Sequence, residues 1–187
     1  SKSFAKLSDE FKADGLFEPI WSEIIYRNLE IVILSTIGVY LYAYNFLLSA
    51  LIIGLTSGRC GWLMHEYGHN SMTGNIIIDK CGQIVVYGVG CGMSASWWNS
   101  QHNRHHATPQ KLGHDSDLDT LPLVAFHRKC IPENPPVSLR FWLSIQNYMF
   151  PLVTCSIVSL FWKYYLHPKM ILRRARTHPK HAIGEAC

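Results

Sequence analysis

The chain has 187 residues, enough for one domain or for part of a larger one. Its formal charge of +4 is modest, and charged residues make up only 16%, against about a quarter in soluble domains. No Asp, Glu, Lys or Arg falls between Glu30 and Arg59 or between Arg140 and Lys163. A spanning helix needs roughly 20 apolar residues, so the pattern excludes an ordinary soluble domain and predicts an all-α membrane protein.

In chain order, Phe4, Leu7 and Phe11 recur at helical spacing among Lys2, Lys6, Asp9, Glu10 and Lys12. This predicts an amphipathic helix lying on a membrane face within residues 1–20. Asp14-Gly15 is its stop, and Pro19 opens the next segment. Residues 29–64 are too long for one span and right for two. Asn45 is the expected turn of a transmembrane hairpin that runs out to about Tyr44 and back from Phe46. The returning chain brings His65 out on the side of the N-terminus.

Residues 81–98 are apolar and carry Gly82, Gly88, Gly90 and Gly92. Small residues let membrane helices approach closely, and the stretch is expected to be re-entrant or interfacial. Pro109, Pro122, Pro132, Pro135 and Pro136 mark a loop, so residues 65–140 read as a cytosolic, histidine-bearing cap. A third membrane helix is expected over 141–162, with Pro151 as a kink. The basic tail 163–187, with Lys169, Arg173, Arg174 and Arg176, suits a lipid headgroup surface rather than nucleic acid. Three full spans would place that tail opposite the histidines, against the positive-inside tendency. A further span, or a third segment that does not fully cross, relieves the conflict.

No C-x-x-C pair occurs among the six cysteines, which read as reduced packing residues in a chain with cytosolic loops. The first twenty residues show no cleavable signal, and a serine at position 1 suggests that an upstream segment, or at least the initiator, is missing.

Five of the ten histidines stand in two groups. His65 and His69 lie one helical turn apart, and His102, His105 and His106 share a face at i, i+3 and i+4. A single H-x-x-x-H pair is common by chance; two such groups, each flanking an apolar segment, are not. His114, His127, His167, His178 and His181 lack this grouping and read as ordinary loop or interface residues. His65-Glu66-Tyr67-Gly68-His69 also fits H-E-x-x-H, the zinc protease signature with Glu66 as base and Asp115, Asp117 or Asp119 as third ligand. That reading leaves His102, His105 and His106 without a task. Five imidazoles exceed the three protein ligands of a catalytic zinc and suit two metal ions, iron among the candidates.

The stretches Gly61-Trp62-Leu63-Met64-His65-Glu66-Tyr67-Gly68-His69 and Trp97-Trp98-Asn99-Ser100-Gln101-His102-Asn103-Arg104-His105-His106-Ala107-Thr108-Pro109 together resemble the membrane fatty acid desaturases. The likeness covers roughly residues 15–166 and is nearest to front-end members of delta-5 or delta-6 type, in which a Trp-Trp-Asn runs into the second histidine box. It implies a multi-pass enzyme of the endoplasmic reticulum membrane with cytosolic histidine boxes. Two non-haem irons would be held by His65, His69, His102, His105 and His106. Electrons would come from NADH through cytochrome b5 and its reductase, and the substrate would be a fatty acyl chain on CoA or a phospholipid. Glu66, Asn99, Asp115, Asp117 and Asp119 become candidates for orienting the ligands, and Trp97 and Trp98 for lining the acyl channel. The family's third box, Q-x-x-H-H, has no counterpart after His106. The chain is therefore expected to be a partial desaturase domain over 1–187 that lacks a complete ligand set, with an inactive truncated membrane protein as the alternative.

Overall fold

The computed structural model describes residues 2–118 and 120–177. Its described residues form helices and loops with no strand, in two compact units that divide after Gly92.

In the first unit, α1 (Lys2–Ala13) leaves Phe4 and Leu7 exposed. α2 (Trp21–Leu41) and α3 (Phe46–Gly68) then form a hairpin. The turn lies where the sequence places it: the Asn45 side chain accepts a hydrogen bond from the Leu48 N–H and caps α3. α2 begins at Trp21, eight residues before the expected start at 29, and Glu23 and Arg27 pair at i, i+4 on its exposed first turns. Each helix contains an 18-residue window with a mean hydropathy of 1.5 and is long enough to cross a bilayer. Only 11% of the α2 window and 22% of the α3 window is buried. Apolar side chains such as Leu29, Val32, Leu47 and Leu51 face outward. A bare apolar surface of this extent requires lipid rather than water; this is an all-α membrane protein.

Small and polar residues join the helices. The Ser49 hydroxyl donates to the Gly38 carbonyl at 2.8 Å, and Arg59 pairs with Glu30 at 3.5 Å across the hairpin. α4 (Ile76–Cys91) packs against α3. A Cβ at Gly90 would lie 2.8 Å from Cys60 Cβ, and the Ser57 hydroxyl donates to the Gly90 carbonyl at 3.2 Å. The glycines of this stretch therefore serve close helix approach, as expected.

Within the apolar stretch 81–98 the helix is interrupted. α4 starts five residues earlier, at Ile76, and ends at Gly92, whose φ of +65° is a left-handed cap. In the second unit Ser94 starts α5 (Ala95–Ala107), its hydroxyl accepting from the Trp97 N–H at 3.2 Å. A loop with a short 3₁₀ turn (Arg128–Cys130) leads to α6 (Val137–Leu152). The Gln146 side chain ties α6 to that loop through both backbone groups of Ala125. The chain stays helical through a π-helical segment (Val153–Val158), α7 (Ser159–Phe161), a second π-helical segment (Trp162–Leu166) and α8 (His167–Thr177). The third apolar segment is thus not one regular α-helix. Its first π turn begins two residues after Pro151, which brings no N–H to the α-helical ladder.

Candidate metal centre

α3 carries the first histidine pair to its own end. The Asn70 N–H donates to the Tyr67 carbonyl at 2.9 Å and the Ser71 N–H to the Glu66 carbonyl at 3.4 Å, with Asn70 left-handed at φ +55°. This is a Schellman closure, with asparagine in the position glycine usually takes. It stops the helix at His69 and leaves both histidines on the last turn. Their rings meet edge to face at 4.6 Å, and Trp62 stacks on His65 at 6.1 Å. Beyond the turn, the buried Asp79 carboxylate accepts from the Thr73 N–H at 3.1 Å and the Thr73 hydroxyl at 2.7 Å, fixing the loop into α4.

In the second unit α5 presents His102, His105 and His106 along its last turns. The Nε2 atoms of His102 and His106 face each other at 3.0 Å, and Trp98 stacks on His102 at 4.1 Å. His105 is held differently. Its Nδ1 lies 3.0 and 3.1 Å from the two Asp115 oxygens. The loop after α5 is wound around that carboxylate, which also accepts from the Gln110 N–H at 2.7 Å and the Asp117 N–H at 2.9 Å. The Asp115 hydrogen bond raises the His105 pKa, opposed by partial desolvation and reinforced by the Asp117 and Asp115 charges. Desolvation pushes Asp115 upward, but its hydrogen bonds from His105, Asp117 and Gln110 prevail and its pKa is lowered. A carboxylate on Nδ1 fixes the proton there and turns the Nε2 lone pair outward, the arrangement that commonly supports a metal-bound imidazole.

Asp117 is a weaker partner, exposed and 3.4 Å from His105 Nδ1; His105, Asp115 and Asp117 together form a donor cluster. Asp119 lies outside the described residues, as do His178 and His181. Asn99 is half-buried on α5, about one turn before His102. Glu66 sits half-buried on α3. Trp97 does not stack on a box histidine: it is buried against Trp162 at 5.3 Å and His167 at 4.6 Å.

His167, read from sequence as ordinary, is fully buried. Its Nδ1 accepts the Ser94 N–H at 2.5 Å, at the cap of the helix bearing the second box. Desolvation lowers its pKa to about 4. Nothing in the local sequence beyond Pro168 marks it. The donors suit a metal: two imidazoles one turn apart in the first unit, and in the second paired nitrogens facing one another beside a carboxylate-held histidine.

A family model described as fatty acid desaturase matches residues 42–186. The acyl-lipid (8-3)-desaturase of Rebecca salina is 46% identical over 171 residues, 91% of this chain and 40% of its own length. The protein of the same description from Thraustochytrium sp is 42% identical, covering 94% of this chain and 41% of its own length. A Delta(8)-fatty-acid desaturase of Helianthus annuus is 29% identical, covering 98% and 43%. The chain therefore spans about two-fifths of the length of these curated relatives, and no solved structure matches it. With residues 42–186 matched, both histidine groups included, the chain belongs to the fatty acid desaturase family.

Proposed function

We propose that this chain is the histidine-bearing part of a front-end acyl desaturase, of delta-5 or delta-6 type, in the endoplasmic reticulum membrane. His65, His69, His102, His105 and His106 contribute ligands to one centre of two non-haem irons on the cytosolic face. The observation that carries the reading is the held set on α5: the facing His102 and His106 nitrogens beside a His105 fixed by Asp115.

An unactivated methylene offers no acidic proton and no leaving group, so side chains alone cannot desaturate it. Iron at such a site supplies the oxidising power to remove two hydrogens from adjacent methylenes, with dioxygen reduced to water and two further electrons drawn from NADH through cytochrome b5 and its reductase. The protein's own work is positional. Asp115 keeps the His105 proton on Nδ1, and the stack of Trp98 on His102 restricts that ring. Asn99 and Glu66 adjust the ligands from nearby. Trp97 and Trp98 line the path of an acyl chain carried on CoA or phospholipid. α1 lies in the membrane interface, residues 141–162 form the third membrane segment, and the basic tail contacts headgroups. Membership of the desaturase family stands against the H-E-x-x-H protease reading.

Yeast expressing the complete polypeptide that contains this chain, and fed a polyunsaturated acid, should form a product with one additional double bond. Mass spectrometry of derivatised esters reads its position. His106→Ala should abolish the product. Absence of product from the unaltered protein, or its persistence in His106→Ala, would refute the proposal, and the former would favour the inactive form.

A further inference from the structure

Tyr67 stands inside the first histidine motif but on the reverse of its helix. At 3.6 residues per turn, a residue two positions from both His65 and His69 lies about 200° around from each. Its ring is buried in the cluster formed with Ile24, Leu63 and Met72. Two contacts fix it there. Against α4, a Cβ at Gly82 would fall 2.6, 2.8 and 2.9 Å from the ring carbons Cε1, Cζ and Cδ1, so the ring fills the space the absent side chain leaves. Against α2, the Tyr67 hydroxyl accepts from Asn28 Nδ2 at 3.0 Å and lies 3.3 Å from Asn28 Oδ1. Asn28 is itself held, its Nδ2 donating to the Ile24 carbonyl at 2.8 Å.

We propose that Tyr67 is a positioning residue: wedged between Gly82 and Asn28, it sets the rotation of the last turn of α3 and thereby the aim of His65 and His69 at their metal. The argument rests on the reading of that pair as ligands. A helix end is the part of a helix freest to twist. α3 ends one residue after Tyr67, and the Schellman closure secures the backbone without choosing which way the turn faces. A ring keyed to both neighbouring helices makes that choice. Small rotations matter because a ligand arc of a few tenths of an ångström decides metal affinity.

The test compares the complete polypeptide that contains this chain, unaltered and as Gly82→Ala, Tyr67→Phe, Asn28→Leu and the double variant Tyr67→Phe/Asn28→Leu, in detergent. Imidazole resonances of His65 and His69, assigned with His65→Gln and His69→Gln, report the pair's geometry without metal; iron per chain after ferrous loading reports its use. Gly82→Ala should move both sets of resonances and lower iron loading at least tenfold. Tyr67→Phe and Asn28→Leu should give smaller, equal shifts, and their combination no more than either alone, since both break one link. Unmoved resonances in Gly82→Ala and Tyr67→Phe overturn the inference, as do additive shifts in the double variant. If Gly82→Ala does not fold, Tyr67→Phe, which keeps the ring, decides by the same criterion. Resonances that move while the unaltered complete polypeptide takes up no iron would uphold the positioning role and refute the ligand reading.

Discussion

His105 and Asp115 show how one carboxylate can be singled out from a run of them. Asp115 has two backbone N–H donors as well as His105, whereas Asp117 is exposed and further away. Asp115→Ala should therefore lower iron retention by about 10- to 100-fold, the usual cost of losing a partner behind a ligand. Asp117→Ala should change it much less; metal analysis of the purified variants reads both. The histidines were legible because helical spacing is a sequence property. The choice between Asp115 and Asp117 was not, since it depends on how residues 108–118 wind around one side chain. His167 was invisible for a related reason: its burial comes from contacts with Ser94 and Trp97, far from it along the chain. It makes a pH prediction. Its folded pKa of about 4 is below the 6.5 of an exposed histidine, so the folded state binds fewer protons between these values. Its contribution to stability is whole above pH 6.5 and is lost as pH falls toward 4. An imidazolium also cannot accept the Ser94 N–H. Thermal melts in detergent should lose stability over this window, and His167→Asn, which keeps an acceptor near Nδ1 without titrating, should flatten the loss.

Helices α2 and α3 were readable as elements because long uncharged runs admit little else in lipid, and Asn45 as the turn because a capping side chain stands between them. The break at 92–94 escaped the sequence reading: glycines at 82, 88, 90 and 92 look alike, yet 82 and 90 face α3 while 92 adopts the left-handed cap. Only packing separates those roles. The same hairpin turns two boundary charges into a pair. Glu30 and Arg59 delimit the uncharged run in sequence and meet at 3.5 Å across the hairpin, with Glu30 the better shielded. Removing one partner strands a charge among apolar helices, whereas removing both removes the problem. Arg59→Leu should destabilise the detergent-solubilised protein by about 3 kcal/mol, the lower end for breaking a shielded pair. Glu30→Leu/Arg59→Leu should lie within about 1 kcal/mol of the unaltered protein. Denaturant unfolding followed by circular dichroism gives both values. Equal loss in the single and double variants would mean that the pair contributes through shape, not charge.

At the scale of the membrane, the hairpin fixes which ends share a side. α3 has 23 residues, and at 1.5 Å per residue it extends about 34 Å, slightly more than a hydrocarbon core of about 30 Å. An α3 that crosses would put Asn45 at its start and His69 at its end on opposite surfaces, and α2 would return Trp21 to the side of His69. This much follows from the sequence, because length and apolarity alone set it. How the chain continues after α4 does not, since neither the cap at Gly92 nor the π turns after Pro151 announce themselves in composition. The hairpin's orientation is open to direct measurement. In a cysteine-free background, Tyr44→Cys and Thr73→Cys place single thiols at the turn and in the loop after His69. With microsomes of cytosolic-side-out orientation, an impermeant maleimide should label Thr73→Cys before permeabilisation and Tyr44→Cys only after it. A cysteine at Ser3 should behave like Thr73→Cys, because α2 brings the N-terminal side back to the histidine surface. Labelling of Tyr44→Cys in intact vesicles would place the turn and the histidines on one side, and an α3 that does not cross the bilayer cannot be the stalk that lifts His65 and His69 to its surface.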